Sequence, residues 1–286
     1  MRKTALVSFA LLLPFAIIAC GGETYTLLFQ PSFGDVPADC ESRHAGFGPE
    51  GDQAAGLEEL RFYIHGVELI DEAGERVPAE IIDEAPWQSS GVAYLHFANP
   101  AEGCLSGDAR RDKVSVRAPE GDYEGIVFRL GVPKELNHLD PALAASPLNI
   151  GPMSWGWMMG YLYFRAELAV DVEDEPTQNF AVHVGSMACE GSLVPEPDIH
   201  CEYPNLPTIA LPSFRPEQDT ILVDLAALVG ATDLRPEGEA HHGSAGCMAE
   251  IDPAGEGYEE CIEPMTSLGI DYGAHPASMD AFRVAN

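Results

Sequence analysis

The sequence predicts an all-β fold: an antiparallel, β-sandwich-like single domain with long loops stapled by disulfides. Three observations predict it. Several short segments alternate apolar and polar residues with a period of two. Turn-forming residues punctuate them, with 28 Gly and 23 Pro among 286 residues. Six cysteines remain once Cys20 is assigned to an export signal, and an even count in an exported chain reads as a disulfide framework.

The first segment carries that signal. Arg2 and Lys3 precede an apolar run from Ala5 to Ile18, short for a membrane span. The run ends Ile17-Ile18-Ala19-Cys20-Gly21-Gly22, which resembles a bacterial lipobox. On this reading residues 1–19 are a lipoprotein signal peptide and Cys20 bears the lipid. Residues 20–24 are then a tether, and residues 25–286 form the functional domain. The protein is expected in the bacterial cell envelope, anchored by lipid alone. Gly21 after the lipidated Cys points to the outer membrane, on its periplasmic or its surface side.

Strand signals follow in order. Residues 25–29 open the domain. Residues 57–70 give the longest signal, with Phe62 and Ile64 facing one way and Arg61, Tyr63 and His65 the other. Residues 92–97, 113–116 and 125–130 are short runs bounded by Gly, Pro and Asp. Residues 161–172 alternate again, with Leu162, Phe164, Ala166, Leu168 and Val170 on one face. Residues 180–185 and 221–225 complete the set. Helix is expected only as turns near 134–138 and 225–229. The Gly-, Pro- and Glu-rich stretch 235–276 reads as loop.

Charge removes whole classes of function. Fifteen Lys and Arg face 46 Asp and Glu, a formal net charge of −31. Such a chain lacks the basic footprint of a nucleic-acid binder, and it cannot dock on anionic lipid through a polybasic patch. A hydrophobic fraction of 46% argues against intrinsic disorder. The cluster Asp171, Glu173, Asp174 and Glu175 is most simply a solvated surface.

Proximity along the chain favours Cys189–Cys201 and Cys247–Cys261, leaving Cys40–Cys104. The chain has no Cys-x-x-Cys pair and export oxidises thiols, so disulfides are expected rather than a thiolate metal site. It also has no Gly-x-Ser-x-Gly, phosphate-binding Gly-rich loop, His-Glu-x-x-His or EF-hand loop, and it reads as a non-enzyme. Three histidines stand out: His65 on a strand, His138 in a loop and His183 in mid-strand. Met153, Met158, Met159 and Met187 lie nearby. With Cys held in disulfides, imidazole and thioether are the remaining donors for Cu(I). Taken singly, each His reads as a hydrogen-bonded structural residue, and residues 153–160 as core packing beside a strand.

Ordered strings add a resemblance. They are Leu60-Arg61-Phe62-Tyr63-Ile64-His65-Gly66-Val67, Trp87-Gln88, Leu130-Gly131-Val132-Pro133, Leu136-Asn137-His138 and Met153-Ser154-Trp155-Gly156-Trp157. His183-Val184-Gly185-Ser186, Cys189-Glu190-Gly191 and Gly246-Cys247-Met248 follow. Together they resemble the MbnP-like copper-binding proteins, the four-Cys proteins of a metallo-mystery pair. The resemblance implies copper as cofactor and a di-haem cytochrome c peroxidase-like partner that oxidises a Trp to kynurenine. It further implies two His ligands, with the kynurenine two residues before the first. His65 matches that first His and His138 the second, while His183 is a further candidate ligand. Position 63 is Tyr rather than Trp, so Trp155 or Trp157 becomes the candidate for oxidation. Glu68, Asn137 or Asp140 could orient the ligands. Tyr63 also keeps open a second reading, a structural or adhesive surface β-sandwich without a functional metal site. A third class, a hydrolase or copper oxidase, would need an activated nucleophile or an open redox copper.

Overall fold

The alternation read from the sequence folds into two sheets packed face to face. The computed structural model describes residues 22–97, 104, 109–156, 158–171, 177–192, 198–235, 245–249, 252–255 and 257–285. Expectations for the signal peptide, Cys20, Trp157, Glu173, Asp174 and Glu175 fall outside the described residues. The first ten strands are β1 (Glu23–Phe33), β2 (Val36–Pro37), β3 (His44–Phe47), β4 (Gln53–Asp71), β5 (Arg76–Pro78), β6 (Glu80–Ile81), β7 (Gln88–Ser89), β8 (Val92–His96), β9 (Lys113–Ala118) and β10 (Tyr123–Leu130). The others are β11 (Leu162–Asp171), β12 (Gln178–Gly185), β13 (Met187–Ser192), β14 (Asp198–Tyr203), β15 (Thr208–Leu211), β16 (Thr220–Asp224), β17 (Ala245–Cys247) and β18 (Phe282–Val284).

One sheet runs β18-β16-β1-β9-β6, with β2 on β1. The other runs β15-β10-β4-β11-β12-β17, with β3, β5 and β8 also on β4 and β7 on β8. β13 and β14 form a separate two-stranded hairpin. Pairing is antiparallel except for β1 with β16 and β12 with β17. The inner faces meet in an aromatic core. Phe62 stacks on Phe97 and Phe164 and meets Phe29 and Phe282 edge-on.

β4 organises the larger sheet. Along one edge it pairs first with β11, ending at Phe62↔Phe164, and then with β10, beginning at Ile64↔Leu130. β3, β8 and β5 share its opposite edge. The handover falls at Tyr63, whose carbonyl accepts a hydrogen bond from Gly131 N at 2.7 Å. The chain therefore leaves the sheet at Gly131 and returns at Tyr161 beside its starting point. The intervening segment covers the outer face at that junction.

Two α-helices among the described residues accompany the sheets. α1 (Leu225–Val229) is the turn expected near 225–229, capped by Asp224, whose Oδ1 accepts from Ala226 N and Ala227 N. α2 (Tyr258–Ser267) lies in the stretch read as loop. Pro264 within it hides the helix from pattern reading, because an interior Pro costs roughly 3 kcal/mol. Burial of Tyr258, Cys261 and Met265 offsets that cost. No helix among the described residues is long and apolar enough to cross a membrane.

The disulfides are Cys40–Cys104, Cys189–Cys201 and Cys247–Cys261, as proximity favoured. Cys247 and Cys261 are fully buried and pin α2 beside β17. Replacing both by Ser is expected to lower stability by about 2–5 kcal/mol, measured by chemical denaturation.

Candidate metal centre

The segment between β10 and β11 builds a second apolar cluster on the outer face of the larger sheet. Tyr63, Val92 and Tyr94 from the sheet pack there against Val132, Leu148, Met153 and Tyr161. Trp87 and Trp155 flank them. Tyr63 is fully buried and donates its hydroxyl to Pro147 O at 3.1 Å. Tyr161 does the same to Leu148 O at 2.8 Å. These two bonds tie the loop to the sheet, and burial pushes the Tyr63 phenol well above its ordinary value.

His65 stands at the junction, opposite Arg129 on β10 and Val92 on β8. It retains 7% of its surface. Its Nδ1 lies 2.9 Å from Gly131 O. A carbonyl only accepts, so Nδ1 carries the hydrogen and Nε2 keeps its lone pair. Nε2 has no hydrogen-bond partner among the described residues. Burial lowers the His65 pKa from its ordinary 6.5, helped by the Arg129 charge and opposed by the bond to Gly131. Gly131 itself has φ +114, and a Cβ there would lie 2.6 Å from Leu206 Cδ2 and 2.7 Å from Tyr163 Cγ.

His138 ends the turn expected near 134–138. It is half-buried, with Nε2 3.6 Å from Cys201 Sγ and 3.4 Å from Asn137 Nδ2. Asn137 fixes the turn: Oδ1 accepts from Tyr161 N at 3.0 Å and Nδ2 donates to Ser186 Oγ at 2.9 Å. Ser186 in turn donates to Met159 O at 2.9 Å. Tyr163 bonds to Ser186 and Asn137, and burial raises its phenol to about 12. A cavity of about 240 Å³ opens here, lined by His138, Tyr163, Ser186, His200 and Cys201 among others. Trp155 is half-buried, its ring so close to Gly185 that a Cβ there would lie 3.0 Å from Trp155 Cζ3. Tyr163 thus links the two histidines: its ring lies against Gly131, which orients His65, and its hydroxyl lines the His138 cavity.

His183 lies elsewhere. It pairs across β11 with Arg165, which pairs with Arg61 on β4. His65 is four residues further along β4, so His183 sits about 13 Å along and about 10 Å across from it. No single ion bridges that gap. Instead His183 Nε2 lies 2.7 Å from Glu167 Oε1, within a chain of Glu59, Arg61, Arg165 and Glu167. Among the described residues, the group of three or more His, Cys, Asp or Glu donors within 4.8 Å of one another is His138, Cys189 and Cys201, not the three histidines.

The ionic chain makes a pH prediction. Burial acts to raise the Glu167 carboxyl, but hydrogen bonding and attraction from His183, with the Arg165 charge, hold it below its ordinary 4.5. A depressed carboxyl contributes stability above 4.5 and loses it as pH falls through the lower folded value. Glu167→Gln should therefore flatten the acid limb of a stability-versus-pH curve measured by denaturation.

Asn137, named from sequence as an orienting residue, holds the turn and also reaches the His138 ring, its Nδ2 3.4 Å from Nε2. Tyr163, Ser186 and His200 were missed. The only sequence hint was His200 directly preceding Cys201. Glu68 instead pairs with Arg76 at 3.4 Å, on the exposed edge.

A model of the MbnP family matches residues 22–249. Among solved structures, MbnP from Methylosinus trichosporium matches with a TM-score of 0.75 and 24% identity, covering 92% of this chain and 98% of its own. At that identity the likeness is one of fold. A search of curated protein sequences returns no match.

Proposed function

Because this chain belongs to the MbnP family, we propose that it is an exported, lipid-anchored copper-binding protein rather than an enzyme, with His65 and His138 as imidazole ligands. The observation that carries the reading is the orientation of His65. A ligating imidazole normally donates its second ring hydrogen to a carbonyl or carboxylate, which fixes the tautomer and aims the other nitrogen at the metal. The bond from His65 Nδ1 to Gly131 O meets that requirement. The lowered pKa keeps the ring neutral at neutral pH, the form that binds copper. Copper would find imidazole donors here in a compartment where the cysteines are oxidised.

Tyr63 occupies the position that the family resemblance gives to an oxidised Trp, and its buried hydroxyl serves the loop. Trp155 is the residue we assign to oxidation by a di-haem cytochrome c peroxidase-like partner. It packs against the outer apolar cluster and Gly185 and stays half-exposed, open to an oxidant. The strongly acidic chain would attract a basic partner and make docking salt-dependent.

The test is mass analysis of protein isolated from its native host. Conversion of Trp155 to kynurenine removes one carbon and adds one oxygen, a gain of about four mass units in its peptide. Protein made without the haem partner should lack the gain. Native protein free of copper would instead favour a structural or adhesive sandwich, the reading that Tyr63 supports.

A further inference from the structure

We propose that reductive opening of Cys189–Cys201 creates a second metal site, in which two thiolates and the His138 imidazole hold one soft cation, Zn(II) or Cu(I). It shares His138 with the site above but is independent of His65 and Trp155.

Three observations carry the inference. The first is donor geometry. Both sulfurs and a ring nitrogen of His138 lie within 4.8 Å of one another. Tetrahedral sites need metal–sulfur and metal–nitrogen distances of about 2.3 and 2.1 Å, so small side-chain rotations suffice. Ser186 Oγ lies 3.5 Å from Cys189 Sγ, and its hydroxyl could turn from Met159 O to donate to a thiolate formed there.

The second is access. The three bridges are not equivalent. Cys247 and Cys261 are fully buried, and Cys40 and Cys104 are buried at 8% and 9%. Cys189 and Cys201 are half-buried and face each other directly across the β13–β14 hairpin, outside both sheets. Opening this bridge leaves the sandwich core untouched.

The third is the surroundings. The cavity of about 240 Å³ reaches Cys201 and His138, and a second of about 310 Å³ borders His138 from the side of Leu139 and Asp198. Both give a cation room to approach. His138 next to Cys201 also favours departure of that sulfur as a thiolate when Cys189 is attacked.

The chemistry balances with a dithiol reductant of the thioredoxin class. Its two thiols become a disulfide as the Cys189–Cys201 bond breaks, and two electrons and two protons pass to the cysteines. Both protons are released again when the cation binds.

The experiment uses the full-length protein, a mild dithiol and Co(II) as a spectroscopic stand-in for zinc. Alkylation and peptide mapping should label Cys189 and Cys201 while the other two bridges stay closed. The reduced protein should then take up one Co(II) per chain with thiolate-to-cobalt charge-transfer absorption, and the oxidised protein should show none. His138→Ala should weaken binding by more than the roughly tenfold loss typical of an outer-shell partner. The double variant Cys189→Ser with Cys201→Ser, which retains the fold-pinning bridges, should abolish the signal. His65→Ala should leave it intact, so this proposal and the copper assignment fail separately. Labelling of another bridge first, absence of charge transfer after reduction, or wild-type affinity in His138→Ala would each overturn it.

Discussion

His65→Ala is expected to reduce copper affinity by well over the roughly 10–100-fold that loss of an outer-shell partner costs, with the sandwich still folded. The substitution removes a proposed ligand and the hydrogen bond that His65 Nδ1 donates to the Gly131 carbonyl. A buried carbonyl left unsatisfied costs about 1–3 kcal/mol, a tolerable fraction of total stability. His183→Ala is the matched control. Its ring serves Glu167, so copper affinity should hold while acid stability changes. Cu(I) titration against a competing chelator measures both. Equal affinity in His65→Ala and wild type would remove His65 from the site. The same titration against pH should show proton competition setting in below the ordinary imidazole value of 6.5, because burial lowers the His65 pKa.

Gly131→Ala should strike both fold and site. The backbone at +114 is strained for any residue with a Cβ, at roughly 1–3 kcal/mol. The added carbon would press on Leu206 at 2.6 Å and Tyr163 at 2.7 Å, and overpacking costs a further 1–3 kcal/mol or so. The sum, about 2–6 kcal/mol, corresponds to a fall in Tm of roughly 4–24 °C for a domain of this size. Any relief requires Gly131 to move, which tilts the carbonyl that holds His65. Copper affinity should therefore fall along with Tm. A variant with unchanged Tm would show that the junction is more pliant than its packing suggests.

Strand content was legible where the two faces of a strand meet different surroundings. The run around Phe62 and Ile64 alternates cleanly because one face meets the aromatic core and the other meets the loop. Local pattern could not reveal how far β4 extends, or that β10 and β11 share one of its edges, since both depend on pairing distant in sequence. α2 was hidden by Pro264, whose cost is met by tertiary burial and a disulfide. The site was legible in part. His65 and His138 were named from resemblance, yet their link through Gly131 and Tyr163 is a matter of contacts across three segments. His183 illustrates the opposite case: a mid-strand histidine that looked like a ligand is the end of an ionic row set by strand register. The disulfide pairing was readable because two of the bridges are short-range and the third follows by remainder.

Because β10 and β11 meet end to end along β4, the stretch between Gly131 and Tyr161 works as an interchangeable insert. Its ends are neighbours in space, so its length and sequence can change without shifting any strand. A scaffold wired in this way can keep its frame while the chemistry of that segment changes.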